Sequence, residues 1–145
     1  MLAQTCDDHV GDMTMNYLRE NGVGTHLMTR CVGMKSHISL AFLNAQSDAN
    51  YTFYKDHNGW SLAPMLAAAD SVQFTADDVL LFGSFFAVNP LVRPVVEILL
   101  LRAHAAGALV YYDINYRAPH AAMLDEIRPY MDENIRLASV VRASM

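Results

Sequence analysis

Lysine is nearly missing from this chain. Only Lys35 and Lys55 occur in 145 residues, and the formal charge is −5. The arginines are scattered, so there is no basic face for nucleic acid and no basic run for an anionic membrane surface. Cysteine is as scarce: Cys6 and Cys31 have neither C-x-x-C spacing nor a matching histidine pattern. They read as reduced thiols of a cytosolic protein, the alternatives being a disulfide or a metal site. The histidines (His9, His26, His37, His57, His104 and His120) include no pair at i and i+4, so solvated or structural roles are expected instead of metal ligation. The apolar stretch from Val95 to Leu101 falls far short of the ~20 residues a membrane helix needs. Met1 to Thr5 has no basic n-region and no apolar h-region, so no secretion signal is visible and a cytoplasmic location is expected. No internal repeat or low-complexity segment appears.

What is present is globular. The chain is 53% apolar and 17% charged, long enough for one ordinary domain with a real core. Asp7-Asp8 precede Val10, Met13, Tyr17 and Leu18 at helical spacing, and Asn21-Gly22 closes that helix. Thr25 to Val32 reads as a strand. Ser36 to Asn44 alternates, with Ile38, Leu40 and Phe42 on one side, and Tyr51 to Lys55 alternates again after a polar turn at 46–50. Two such runs predict an antiparallel hairpin with one wet face.

A different pattern follows 56–59. A short helix is expected from Ser61, and Val79 to Phe82 suits a strand buried on both faces. Pro90 and Pro94 open a helix that Gly107 closes, Ala108 to Tyr112 is the next buried run, and helical spacing resumes at Leu124 and Ile127. Pro129 is expected to divide that last helix. Ser139 to Arg142 is a final apolar run. Strand, helix, strand, helix, strand is the pattern of a parallel sheet with right-handed crossovers. The expected fold class is therefore α/β, a Rossmann-like parallel sheet with helices on both faces, from which the antiparallel hairpin projects as a lid.

The cluster Asp113-Ile114-Asn115-Tyr116-Arg117 follows the run ending at Tyr112. In open α/β sheets, ligands bind beyond the carboxyl ends of the strands. An acceptor, an amide and a fixed cationic fork at that place suit a hydroxyl-rich or phosphorylated ligand. The same residues begin like a calcium loop, but Arg117 takes the third ligand position and no glycine follows, so calcium is rejected.

Several segments in order resemble the ribokinase-like (PfkB) carbohydrate kinases, and among them the fructokinase-like members. Cys6-Asp7-Asp8-His9-Val10-Gly11 resembles a G-D-D-x-x-G segment, with Cys6 where the first glycine usually stands. Asn21-Gly22-Val23 resembles the N-G-V that follows. Ser39 to Leu43 and Tyr51 to Asp56 look like the lid strands, Asp113 to Arg117 like D-x-N-x-R, and Ala138 to Ser144 like A-D-x-V-K-x-S. The resemblance spans the chain, yet the chain covers about half of such a kinase, so residues 1–145 are expected to be a single partial domain, ribokinase-like and incomplete, with 33–58 as the inserted lid hairpin. The family's amino-terminal sugar-gripping strand, its N-x-x-E motif and its G-x-G-D segment with the catalytic base fall outside these residues.

The resemblance implies an ATP-dependent sugar kinase that uses Mg2+ and transfers the γ-phosphoryl group to a sugar hydroxyl, with no catalytic residue in this chain and most ATP contacts outside it. Such transfer rests on positioning and charge stabilisation, so this chain alone is expected to be inactive. Substrate-binding candidates are Arg117, Asn115, Lys55, Phe53, Tyr51 and Gly83, with Asp113 supporting. Arg117 would contact the sugar or the transferred phosphoryl group, or else cap a loop at the surface. Asn115 would bond a sugar hydroxyl or simply form a turn. Asp113 would hold the loop and Arg117 in place. Lys55 stands where the family has a sugar-facing arginine and lacks the bidentate fork; the other reading is an edge-strand lysine that discourages aggregation. Phe53 and Tyr51 share its face of the strand. Gly83 borders the pocket or serves a tight turn. Expected partners are a small sugar and a second copy of the chain, docked through the lid as a homodimer, with neither nucleic acid nor membrane. The rival readings are a non-catalytic sugar-binding or dimerisation module, and a kinase for a nucleoside or a 2-keto sugar acid. A parallel sheet without its flanking strands exposes apolar surface, so marginal stability or self-association is expected.

Overall fold

The computed structural model describes residues 1–46, 49–55, 61–116 and 118–143. They fall into two units, Met1–Met65 and Leu66–Met145. The first begins with a strand, β1 (Ala3–Cys6), that the sequence pattern did not announce. Four residues that include Gln4 and Thr5 make no apolar run to detect. Helix α1 (His9–Glu20) starts where expected: the Asp8 side chain accepts from the Gly11 amide at its amino terminus, and Asn21 caps its end. Its buried face carries Gly11 and Met15, while Met13 and Tyr17 point outward, 70% and 67% exposed. Gly11 is required because a Cβ there would stand 2.0 Å from the Cys6 carbonyl oxygen. β2 (Met28–Cys31) lies parallel to β1, with Cys6 opposite Cys31.

β3 (Ile38–Leu43) and β4 (Ala49–Tyr54) form the expected antiparallel hairpin, a sheet of its own. The expectation of one wet face needs correction: every residue of both strands is exposed. Alternation sorted the side chains onto two faces as the sequence implied, but no described residue covers either face closely enough to bury it. α2 (Leu62–Ser71) follows, beginning one residue past Ser61.

The second unit is built on β5 (Val79–Gly83), β6 (Leu109–Asp113) and β7 (Val140–Arg142), all parallel, in the order β5-β6-β7. α3 (Arg93–Ala105) and α4 (Leu124–Leu137) are the crossovers. Right-handed crossovers stepping the same way place both helices on one face. Val96, Leu100 and Ala103 of α3 pack there with Ala108 and Val110, joined by Leu80, Phe82 and Phe86. Phe82 stacks on Tyr112 with ring centroids 4.9 Å apart. β5 is thus not buried on both faces as its run of apolar residues suggested: Val79 and Leu81 are 61% and 68% exposed.

Pro129 does not divide α4, which runs unbroken through it. The carbonyl it leaves without a donor belongs to Asp125 in the first turn, and both residues are exposed, so water can take the missing place. Two 3₁₀ turns, Phe85–Val88 and Ala118–Met123, precede α3 and α4 and carry no periodicity that sequence reading could detect. No helix is long and apolar enough to cross a membrane among the described residues.

Candidate functional site

The candidate residues fall into two groups, one in each unit. In the second unit the carboxyl ends of β5 and β6 are drawn tightly together. Gly83 is paired with Asp113, and a Cβ on Gly83 would lie 2.1 Å from the Asp113 carbonyl oxygen. Glycine is needed there for this close approach, not for a tight turn. The Ser84 amide then donates to the same oxygen at 2.9 Å. Ser84 and Asn115 are the two non-glycine residues with positive φ among those described, at 57° and 40°. They meet: Asn115 Nδ2 donates to Ser84 Oγ at 3.4 Å. Unfavourable backbone at two adjoining strand ends is the kind of strain that clusters at ligand-binding positions. Gly83 and Asn115 are the substrate-binding candidates that the sequence offered in this pair of turns; the positive φ of Ser84 had no signature there.

The Asp113 carboxylate accepts from Arg142 Nη1 at 2.7 Å. It therefore ties β6 to β7. Its expected partner Arg117 lies outside the described residues. Behind this rim sits a depression of about 10 Å3, room for one water, lined by Ser84, Tyr112, Ile114, Tyr116, Ile127 and Met131 among others.

Beneath it lies a buried polar group that sequence reading missed. Arg93, 4% exposed, donates to the Ala87 carbonyl at 3.2 Å and to Asn134 Oδ1 at 2.7 Å, and pairs with Glu133. Its guanidinium lies 5.2 Å from the centre of the Tyr130 ring. Asn134 donates to the same Ala87 carbonyl at 3.2 Å. Burial pushes the Tyr112 hydroxyl above its usual pKa, with Asn134 and Arg93 pulling the other way. That hydroxyl has no hydrogen-bond partner of good geometry among the described residues. The one available signal was an arginine set among the apolar residues between Pro90 and Leu101. The network fixes the 3₁₀ turn behind Ser84 to both helices.

In the first unit, the strand register sets Tyr51 and Phe53 on one face of β4 with Ala41 and Ser39 opposite them. Small residues across from the two rings leave them open. The rings stack at 6.0 Å with 15° between planes, and Lys55 Nζ sits 5.8 Å from the centre of Phe53. An aromatic surface topped by a cation can cover the C–H face of a sugar while offering charge to its oxygens.

The feet of this hairpin are pinned to β1 and α1. The Asp8 carboxylate accepts from the Ser36 amide and hydroxyl, both at 2.7 Å, and from the Gly11 amide at 2.9 Å. Those three donors, the Ser36 amide foremost, hold its pKa down at about 2. At the other foot, the Gln4 amide group accepts from the Ser61 amide at 2.9 Å and donates to its carbonyl at 3.1 Å. Asp8 lay within a segment read as a family motif; Gln4, Ser36 and Ser61 gave no sign.

No family model and no curated protein matches the chain. Solved structures do match it. A fructokinase from Vibrio cholerae O395 is 17% identical with a TM-score of 0.75, over 96% of this chain and 48% of that one. A fructokinase from Xylella fastidiosa is 22% identical with a TM-score of 0.70, over 97% and 43%. An aminoimidazole riboside kinase from Salmonella enterica is 20% identical with a TM-score of 0.71, over 98% and 44%. The Vibrio enzyme is also known with fructose, ADP and calcium bound, and the Xylella enzyme with ATP. The chain spans less than half the length of these kinases. Identities this low speak to architecture, and on architecture they agree with the sequence: the chain has the ribokinase-like fold, with parallel sheets flanked by helices and the antiparallel hairpin in place.

Proposed function

We propose that this chain is the sugar-side portion of an ATP-dependent carbohydrate kinase. The observation that carries the reading is that sugar kinases match nearly the whole chain in fold. Asn115 and Arg117 at the end of β6 would bind sugar hydroxyls or the phosphoryl group, with Gly83 keeping the neighbouring strand end close. Tyr51, Phe53 and Lys55 would cover the sugar from the hairpin, and Asp113 would hold the β6–β7 edge firm through Arg142. The hairpin would also dock a second copy of the chain through its other face, where Ile38, Leu40, Phe42 and Tyr54 are exposed together. We place the protein in the cytoplasm on its composition.

ATP and Mg2+ would supply the phosphoryl group and neutralise its charge. By the family resemblance the G-x-G-D segment with the catalytic base lies outside these residues, so we assign the transfer step to no residue of this chain. One neighbour acts on a riboside, which favours a nucleoside as the second acceptor class to examine.

Calorimetric titration of the chain with fructose, ribose, a 2-keto-3-deoxy sugar acid and adenosine tests the reading. Saturable binding of one of them, weakened at least about tenfold by Arg117→Ala or Asn115→Ala, is expected. A chain that binds none of the four while self-associating through the hairpin would instead be a non-catalytic interaction module. Light scattering with Phe42→Ser and Tyr54→Ser reads the association: fewer dimers are expected, and no change would remove the hairpin from the interface.

A further inference from the structure

Cys6 and Cys31 stand opposite each other in the parallel pairing of β1 and β2. Paired residues on neighbouring strands send their side chains to the same side, with backbones about 4.8 Å apart. That spacing lies within the Cα range of natural disulfides, roughly 4.4–6.8 Å. The two thiols are within hydrogen-bonding reach of one another, and neither is in a disulfide. Both are buried, at 6% and 2% exposure. Each also touches one foot of the hairpin. Cys31 Sγ donates to Gln4 Oε1 at 2.7 Å, the same oxygen that receives the Ser61 amide. Cys6 bonds Ser36, which Asp8 holds.

We infer that Cys6 and Cys31 form a reversible dithiol–disulfide modification site, whose oxidant is a small-molecule disulfide and whose oxidation loosens the hairpin. The Cys6 thiolate attacks one sulfur of the small disulfide, forming a mixed disulfide and expelling a thiolate. The Cys31 thiolate then attacks the Cys6 sulfur, forming the protein S–S bond and expelling the second thiolate. Two protein thiols become one disulfide, and their two protons end on the two released thiols. Burial, with Cys31 beside it, raises the Cys6 pKa, so the reaction is slow at neutral pH and faster in base. In-register neighbours in a parallel sheet hold their Cβ atoms wider than an unstrained disulfide prefers, which makes the bond easy to reduce. Closing it removes the Cys31 S–H that helps aim Gln4 at Ser61.

The test incubates the chain with oxidised glutathione, traps remaining thiols by alkylation in denaturant, and reads intact mass and disulfide-linked peptides. A Cys6–Cys31 bond is expected, reversed by dithiothreitol and missing in Cys6→Ser and Cys31→Ser. Its closure in the native chain should be favoured at least about tenfold over the chain in concentrated urea. Hydrogen exchange of the Ser61 amide should quicken several-fold, up to about tenfold, on oxidation. Two alkylatable thiols after treatment, mixed or intermolecular disulfides alone, or closure no better than in urea would overturn the site. Unchanged exchange at Ser61 would overturn its link to the hairpin.

Discussion

The three-stranded sheet of the second unit and the hairpin of the first have the same backbone chemistry and opposite support. On β5-β6-β7 one face is sealed by two helices, and Val110, Tyr112, Leu100 and Val95 are all at 1% exposure or less. On β3 and β4 no residue is buried, although Leu40, Phe42, Tyr51 and Phe53 are large side chains of the kind that fill the core. Apolar side chains stabilise only when something covers them, so the sheet gains from burial while the hairpin relies on its ladder and on two polar anchors. A region so arranged can receive a partner without giving up packing of its own, whereas the helix-covered face of the sheet cannot.

The contrast is sharpest in stability. In urea unfolding at protein concentrations where the chain is monomeric, Leu100→Ala should cost about 3 kcal/mol and Phe42→Ala on the hairpin less than about 0.5 kcal/mol. Equal losses in the monomer would mean that another part of the chain covers the hairpin. Next in size, Arg93→Ala strips a buried cation from Ala87, Asn134 and Glu133 and should cost about 3 kcal/mol. It should also disturb the nuclear magnetic resonance signals of Ser84 and Asn115, a change that Leu100→Ala should not reproduce in kind.

The hairpin's own weak point is Asp8. Its pKa is depressed in the fold, so its contribution is present above the unfolded value near 4 and is lost as the pH falls towards about 2. Ser36 amide exchange should accelerate over that interval in the wild type beyond its intrinsic rate. Asp8→Asn should already be fast at neutral pH and show no such acid limb; matching limbs in the two proteins would discard Asp8 as the anchor. The smallest effect belongs to the exposed pair of Arg142 and Asp113. Arg142→Ala should shift stability by no more than about 0.5 kcal/mol, and a loss above 2 kcal/mol would show that the β6–β7 edge depends on it.

Much of this was legible in the residues. Asp8 and Asn21 bracket α1, alternation placed Tyr51, Phe53 and Lys55 on one face, and apolar runs separated by helical spacing laid out β5 through β7. Of the candidate site, the neighbourhood of Asp113 and Asn115 was visible because polar residues crowd the end of an apolar run. Ser84, Arg93, Asn134, Gln4 and Ser61 were not, because their partners are distant in sequence: Arg93 and Asn134 are 41 residues apart, Gln4 and Ser61 57.

By itself the sequence determined local matters, since hydrophobic period, caps and turn residues act through neighbours three or four positions away. It marked the α-helices and every strand but β1, and the order that makes the second half a parallel sheet. Only the tertiary structure decided which faces are covered, that Pro129 is tolerated, that Gly83 answers to a carbonyl from another strand, and that two cysteines 25 positions apart stand side by side. Burial and hydrogen bonding depend on what arrives from elsewhere in the chain, and no period in a single segment carries that information.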